Sequence, residues 1–372
     1  MNRRPYSFAY KVFCRVPLSV ANVLIHIRPW VIDARSRTYY SDKPLKSKLK
    51  ILMDHLYFAI VQGNTVKDDY FAMGLDQRGK RAKDYITESV NTLALYSKNT
   101  SRGLPFMKWQ YDMCAVLKDK WVFSQMCVAY GLSTPKTYGY IMGGVIINGL
   151  RSFESLLEHD YDLMIKPVDG ACGLGIIHVR SINGKLIVKG NEISISQLKE
   201  QIGVGRYVIQ QFINNQHYGM RYLYPNACNT LRITVAKEGN DSRVLGCMCM
   251  LGAHGTDCSN WHFGGVCVNV NNDGELDTYG YCKIDGKVET HPDTGVTFKG
   301  YKVPFFEEAI SLAKQATNCF YGFCSIGWDI AITEMGPTII EGNDDWGIVA
   351  HQMVENRGWR KTWEQSHGKL II

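Results

Sequence analysis

The chain has 372 residues, enough for two or three folded lobes around large buried cores. Apolar residues make up 45% and charged residues 21% of it, which excludes a disordered or fibrous protein, and no apolar stretch reaches the roughly 20 residues of a membrane-spanning helix. The net charge of +7 is uneven, because residues 1–50 hold eleven Lys and Arg against two Asp.

The cysteines and the basic N-terminal region bear on the setting of the protein. Twelve cysteines are scattered along the chain without a C-x-x-C pair, which favours reduced thiols and a cytoplasmic location. The basic region leaves three interpretations open: a solvated surface, docking on an anionic substrate carrier, or peripheral contact with the inner face of the cell membrane. We expect no nucleic-acid partner.

The first 115 residues are predicted to form a basic, mainly helical region. Within it, four leucines behind Pro44 recur at helical spacing and predict an amphipathic helix whose leucines lie in a core. These are Leu45, Leu49, Leu52 and Leu56.

Beyond residue 115 the pattern changes from helical to mixed. Short β-like runs separated by Gly, Asn and Asp fill residues 136–300. The other predicted elements are helices from 119 to 131, near 196–202 and after Pro304, and strands at 325–333 and 337–341. Because strands and helices mix without regular βαβ alternation, the predicted class is α+β, with lobes at 116–209 and 210–372.

A glycine-rich loop follows the strand that ends at Lys166 and Pro167. Gly170, Gly173 and Gly175 would let backbone N–H groups approach phosphate oxygens, and Lys166 would add a positive charge beside them. A hairpin turn with a surface lysine fits the same residues. The loop matches neither the Walker A pattern nor the dinucleotide fingerprint.

Two late strands carry candidate metal ligands. Alternation in Ser325–Thr333 leaves Asp329 on the face opposite its large apolar neighbours. In the next strand the same parity groups Ile339, Glu341 and Asn343 on one face. Carboxylate and amide oxygens suit Mg²⁺, although an exposed strand Asp and an Asn-Asp turn would explain each residue singly. By the same alternation Arg232 projects from a strand centre, either as a salt-bridged arginine or as a phosphate ligand.

In this order, these features resemble the ATP-grasp superfamily over roughly residues 115–350. A closer resemblance is to the sugar-transfer-associated ATP-grasp proteins, through the segments NTLRITV, HFGGVCVNV, HPDTGVTFKGYKVPFF and IGWDIAITEMGPTIIEGN. The resemblance implies the ATP-grasp fold, in which two α+β lobes hold ATP and Mg²⁺ between them. Residues 1 to about 80 lie outside it.

The resemblance also implies roles for individual residues. Lys120 and Lys166 would contact the ATP phosphates, Arg232 would face the γ-phosphate, and Arg232 and Lys166 would be the catalytic side chains. A loop would cover the phosphates, a hinge strand would meet adenine largely through its backbone, and three side chains would hold magnesium. The loop residues are Asp169, Gly170, Gly173 and Gly175, the hinge residues are Gln210, Gln211, Phe212 and Ile213, and the metal ligands are Asp329, Glu341 and Asn343.

The hinge departs from the usual ATP-grasp sequence, and the segment around Gly264 has two interpretations. The hinge has amides at Gln210 and Gln211, where a Glu is usual, so recognition of adenine there would depend on the backbone. Ahead of a strand, Gly264 and Gly265 would let the backbone approach an acceptor substrate, with His262 as a proton acceptor or as a structural histidine.

The implied function is an ATP-dependent carboxylate–amine ligase that forms an amide through an acyl phosphate. The subgroup implies an amino acid joined to a sugar precursor of a bacterial surface polysaccharide, with a uronic acid or amino sugar carried as a nucleotide sugar or glycan precursor. Two alternatives remain: a kinase of a sugar or small alcohol with the same nucleotide site, and a non-catalytic nucleotide-binding partner of a glycosyltransferase complex.

Overall fold

The computed structural model describes residues 14–100, 114–170, 174–214, 216–257, 259 and 261–370. It consists of a helical N-terminal region and two antiparallel sheets of seven strands each, which confirms the α+β class. Within these residues, every helix is too short or too polar to cross a bilayer.

Short helices build the N-terminal region. They are α1 (Val16–Ile25), a π-helical segment (Arg28–Ile32), a 3₁₀ turn (Ala34–Ser36), α2 (Lys48–Tyr57), a second π-helical segment (Phe58–Gln62), α3 (Asp69–Ala72), a 3₁₀ turn (Ala82–Asp84) and α4 (Glu88–Thr100). Helix α2 begins after Ser47, whose hydroxyl accepts a hydrogen bond from the Lys50 N–H.

The buried face of α2 differs from the predicted leucine stripe. Leu49 is 70% exposed, whereas Ile51, Asp54 and His55 are buried, so the prediction that these leucines lie in a core is wrong for Leu49. Polar contacts occupy the buried side of the helix instead: Asp54 forms a buried ion pair with Lys46 and accepts a hydrogen bond from the Tyr70 hydroxyl at 2.8 Å. A pattern of apolar spacing does not detect such a pair.

His55 lies between two aromatic rings, with its centroid 5.4 Å from Trp30 and 4.5 Å from Tyr70. Burial lowers its pKa from 6.5 to about 4. Between these two pH values the unfolded chain binds more protons than the folded one. The buried His55 should therefore lower the free energy of unfolding by about 3 kcal/mol as the pH falls from 6.5 to 4. We expect His55→Phe to remove this loss.

Urea unfolding of both proteins at pH 7 and pH 5 tests this expectation. Other buried groups titrate in the same range, so the informative quantity is the difference in unfolding free energy between the two proteins at each pH. If both proteins lost stability in parallel, His55 would not be the cause.

The first sheet has the strand order β2-β1-β7-β3-β4-β5-β6. Helix α7 (Ile195–Ile202), which starts with a capping box between Ser194 and Gln197, packs Leu198 and Ile202 onto one face. The opposite face carries Lys166. The strands are β1 (Thr137–Met142), β2 (Val145–Gly149), β3 (Tyr161–Pro167), β4 (Ile177–Ile182), β5 (Lys185–Val188), β6 (Asn191–Ile193) and β7 (Arg206–Gln211), and a 3₁₀ turn spans Phe153–Leu157.

The second sheet has the order β12-β11-β10-β9-β8-β13-β14. Its strands are β8 (Thr230–Glu238), β9 (Asp241–Leu251), β10 (Val266–Val270), β11 (Leu276–Cys282), β12 (Gly286–Val288), β13 (Ser325–Thr333) and β14 (Gly336–Asn343). The remaining helices are α5 (Cys114–Lys118), α6 (Lys120–Ala129), α8 (Tyr218–Leu223), a 3₁₀ turn (Trp261–Phe263), α9 (Phe306–Cys319), α10 (Ile348–Val354) and α11 (Arg360–His367). Helix α9 covers one face and buries Ala309, Ala313 and Ala316.

Helices α5 and α6 belong to the core of the second sheet. Leu117, Phe123 and Cys127 pack in one cluster with Leu231 and Ile233 of β8. We therefore propose that the small lobe begins near β1, later than the predicted residue 116, because α5 and α6 bury their apolar faces in the larger lobe.

The N-terminal region packs onto the other face of the second sheet. Tyr40 and Ala72 share a buried cluster with Met248, Cys267 and Tyr281 of this sheet. A further cluster joins apolar residues of 86–95 to three tryptophans near the C-terminus, Trp346, Trp359 and Trp363. The N-terminal region thus forms a wall beside the sheet face that carries Arg232.

Candidate functional site

A row of three charged side chains crosses neighbouring strands of the second sheet. Asp329 of β13 stands directly opposite Arg232 of β8 on one side and Glu341 of β14 on the other. Directly paired residues of an antiparallel sheet point to the same face, so all three side chains lie together. The structure thus brings together the predicted arginine and two of the predicted metal ligands.

A β-bulge at Ile340 places Glu341 on the same sheet face as Asp329. Ile330 pairs with Ile339, but Asp329 pairs with Glu341, so Ile340 has no partner in β13. The prediction that Ile339 shares a face with Glu341 is therefore wrong: Ile339 is fully buried in the core below the sheet. Beyond the bulge, Asn343 pairs with Gly327 and stays on the face of Glu341.

The three side chains interact directly. Both carboxylate oxygens of Asp329 accept hydrogen bonds from Arg232, one from Nε and one from a terminal nitrogen at 2.8 Å. Burial raises the pKa of Asp329 to about 6; Arg232 opposes this shift and the neighbouring Glu341 adds to it. Burial also acts on Glu341, but its hydrogen bond with Asp329 and nearby cations outweigh that effect and lower its pKa.

Two of the cations that lower the pKa of Glu341 are lysines. Lys166, at the end of β3, and Lys120, at the start of α6, both lower the pKa of Glu341. Burial in turn lowers the pKa of Lys166; Glu341 opposes this shift and Lys120 adds to it. A lysine of the first sheet therefore lies close to the carboxylates of the second sheet, as expected for a site between two lobes.

The glycine loop is held next to these lysines. The Lys120 ammonium donates to the carbonyl of Gly170, and Arg206 of β7 lies 3.5 Å from the Asp169 carboxylate. Gly175 has a φ of +73°, and a Cβ there would lie 3.0 Å from the ring of Pro167, so this position requires glycine. Gly173 lies outside the described residues.

Comparison with known proteins identifies the family. Residues 106–367 match the family described as sugar-transfer associated ATP-grasp, which is more than half of the chain. The chain belongs to this ATP-grasp family. The predicted resemblance and the ATP-grasp fold are thereby confirmed. No curated protein sequence matches the chain.

Several solved structures are similar in fold to this ATP-grasp chain. An L-amino acid ligase from Bacillus licheniformis is 14% identical over 68% of this chain and 45% of its own, with a TM-score of 0.38. An N5-carboxyaminoimidazole synthase from Aspergillus clavatus, in complex with ADP, is 12% identical over 62% and 45%, with a TM-score of 0.37. A D-alanine-D-alanine ligase from Helicobacter pylori is 12% identical over 69% and 62%, with a TM-score of 0.37. The chain spans about half the length of the first two.

The predicted hinge of the ATP-grasp fold covers the last two residues of β7 and the two residues that follow it. Gln210 is buried, shares a sheet face with Lys166, and donates from its amide to the Thr137 hydroxyl at 3.4 Å. Phe212 stacks on His178, with centroids 4.1 Å apart. The backbone N–H of Gln211 donates to the Lys136 carbonyl and that of Phe212 to the Asp162 carbonyl. These two N–H groups are therefore used within the protein, and Ile213 directly follows them.

The predicted acceptor segment lies at the start of β10. Gly264 has a φ of +94°, and a Cβ there would lie 2.8 Å from Ile284, so a larger residue would be strained. Gly265 immediately precedes β10, whose Cys267 lies near Arg232 and Asp329. His262 is in the 3₁₀ turn, but its side chain lies outside the described part of the chain.

A polar cluster next to Gly264 was missed by the sequence analysis. His254 Nε2 lies 2.8 Å from an Asp285 oxygen and 3.6 Å from the Cys282 sulfur, and this thiol donates to the Gly264 carbonyl at 3.2 Å. The cluster fixes the turn ahead of β10. Its three members are 28 and 3 positions apart along the chain, so no local motif reveals it.

Sequence reasoning also missed Cys228 and Arg206. The Cys228 thiol lies near Lys166, and burial raises its pKa to about 11, so the thiol is neutral at pH 7. Arg206 is within 3.6 Å of Asp119, the N-cap of α6, as well as 3.5 Å from Asp169. It thus connects the glycine loop to the helix that carries Lys120, a link that only the fold reveals.

Proposed function

We propose that this ATP-grasp protein is an ATP-dependent ligase that joins a carboxylate to an amine. The observation that carries the proposal is the Glu341–Asp329–Arg232 row with Lys166 and Lys120 close to it. Such an arrangement combines anionic oxygens for a cation with positive side chains for a triphosphate. Family membership supports ATP as the nucleotide.

The donor set fits Mg²⁺. Asp329 is buried and the neighbouring Glu341 is half-buried; burial raises the pKa of Asp329, Arg232 opposes this shift and Glu341 adds to it, so a cation beside both carboxylates would favour their charged forms. The Asn343 amide nitrogen donates to the Gly327 carbonyl at 3.3 Å, so the amide oxygen is what Asn343 can offer to a metal. When bound, Mg²⁺ would offset negative charge on the phosphates.

Arg232 and Lys166 have distinct proposed roles. The Asp329 carboxylate outweighs burial and raises the pKa of Arg232 above its usual value, so the guanidinium stays charged. We propose that Arg232 exchanges part of its ion pair with Asp329 for the γ-phosphate, while Lys166 contacts the phosphates from the other lobe. Lys120 would hold the glycine loop through Gly170, with Asp169 held by Arg206.

The proposed reaction has two steps. A substrate carboxylate oxygen attacks the γ-phosphorus, the bond to the β-phosphate oxygen breaks, and ADP leaves. The amine then attacks the acyl carbon, phosphate leaves with the bonding electrons, and the amine loses a proton to give the amide. Both steps depend on positioning and charge stabilisation, which the row and the two lysines can supply.

The substrates are proposed from the family description. The family description supports a sugar-linked substrate, and we propose an amino acid as the other partner, in the assembly of a surface polysaccharide.

Release of phosphate tests the proposed reaction. The purified protein is incubated with ATP, Mg²⁺, mixed amino acids and uronic-acid or amino-sugar nucleotides, and products are identified by mass spectrometry. We expect phosphate and an amide only when acid and amine are both present. ADP with a phosphorylated sugar and no free phosphate would instead identify a kinase. Nucleotide binding without turnover on any pair would contradict both enzymatic functions.

A further inference from the structure

Helix α1 exposes an apolar stripe to solvent. Between Arg15 and Arg28 the chain has no charged residue. On α1 itself, Leu18 is 68%, Leu24 55% and Ile25 75% exposed. Together with Pro17 and Ala21, which are also exposed, they recur at the spacing of one helical face. A helix at a water-exposed surface normally shows polar residues there.

A second apolar stripe lies on α2 and the π-helical segment that follows. Leu49 is 70%, Met53 58% and Ile60 54% exposed, and they again share one helical face. This segment packs against α1, and α2 packs against both, so the two stripes belong to one small bundle. Of the 23 large apolar side chains exposed in the described part of the chain, eight lie between Leu18 and Val61.

Basic residues accompany this apolar surface. Residues 14–62 contain eight Lys and Arg against three Asp. Lys48 and Lys50 flank Leu49 and are exposed, and the Arg28 side chain is 82% exposed at the end of the α1 stripe. The Asp54 carboxylate is buried with Lys46 and offsets no charge at the surface. Exposed apolar rows flanked by Lys and Arg are typical of helices that lie in a membrane interface.

We propose that this surface, formed by the exposed apolar side chains of α1, α2 and residues 58–62, docks onto a bilayer that carries anionic lipids. The apolar side chains would enter the boundary between headgroups and acyl chains, and the lysines and arginines would meet the lipid phosphates. Charge favours this occupant over a second copy, because a symmetric dimer would bring two like-charged basic surfaces together. The inference does not depend on the proposed reaction.

Vesicle flotation of the full chain tests the proposal. We expect the protein to float with vesicles of phosphatidylglycerol and phosphatidylcholine in equal parts, much less with pure phosphatidylcholine, and less at high salt. Replacing Leu24 and Ile25 together by serine should lower the partition coefficient at least about tenfold. The matched control replaces Val204 and Met335 by serine, which are 86% and 89% exposed far along the chain and should leave partition unchanged.

Both double variants change exposed side chains, and unchanged thermal unfolding confirms that they fold. Equal partition of the wild type and the Leu24, Ile25 variant would overturn the proposal. The proposal would also be overturned if the wild type did not float with vesicles and light scattering showed it to be a dimer, while the Leu24, Ile25 variant was a monomer. That result would assign the surface to a second copy of the chain.

Discussion

Replacing Asp329 by asparagine is expected to reduce Mg²⁺-dependent ATP turnover at least about a hundredfold. Asparagine keeps the shape of the side chain but removes the charge that lies between Arg232 and Glu341. A cation would then meet one carboxylate fewer, and Arg232 would lose its bidentate partner. Glu341 remains as a counter-charge for Arg232, so we expect a smaller effect on folding than a fully unpaired buried arginine would give.

Titration calorimetry with ATP, with and without Mg²⁺, separates these effects. The variant should lose the strengthening of ATP binding by Mg²⁺, while thermal unfolding reports stability. Asp273→Asn, at an exposed turn before β11, is the matched control and should behave like the wild type. An Asp329→Asn protein with wild-type turnover would refute the metal assignment.

Replacing Lys166 by methionine should weaken ATP binding about a hundredfold, through loss of the small lobe's positive charge beside the carboxylate row. Methionine keeps the length of the apolar stem, and the burial that lowers the pKa of Lys166 shows that holding this ammonium in the site is unfavourable. Stability should therefore be unchanged or increased while binding falls, a combination that a purely structural lysine would not give.

Lys185→Met is the control for this substitution. Lys185 lies in β5 of the same sheet, its side chain is 61% exposed, and its partner is the exposed Glu192. This variant should bind ATP like the wild type. If Lys166→Met bound ATP as tightly as this control, Lys166 would have no part in holding phosphates.

Strand alternation predicted the faces of Asp329 and Arg232 because both strands are regular at those positions. It failed at Ile339, since one unpaired residue, Ile340, exchanges the faces on either side of it. A bulge depends on pairing with the neighbouring strand, which the local sequence does not encode. The glycine loop and Lys166 could be predicted from the sequence because they are adjacent along the chain.

The N-terminal helices show a different limit. Helical spacing predicted α2 but assigned Leu49 to a core, because an ion pair between Lys46 and Asp54 takes the buried side of the helix. Arg206 could not be assigned at all, since its partners Asp119 and Asp169 are 87 and 37 positions away. Contacts of this kind depend on the packing of the two lobes.

The placement of Lys166 on one sheet and of Glu341 on the other couples the mechanics of the protein to its electrostatics. A rotation that separated the lobes would increase the distance between these two charges, while the row on β8, β13 and β14 would keep its spacing because neighbouring strands hold it. The charged side chains of the row would thus keep their relative positions, whereas Lys166 would move with the small lobe. We therefore expect the release of ADP and the separation of the lobes to occur together.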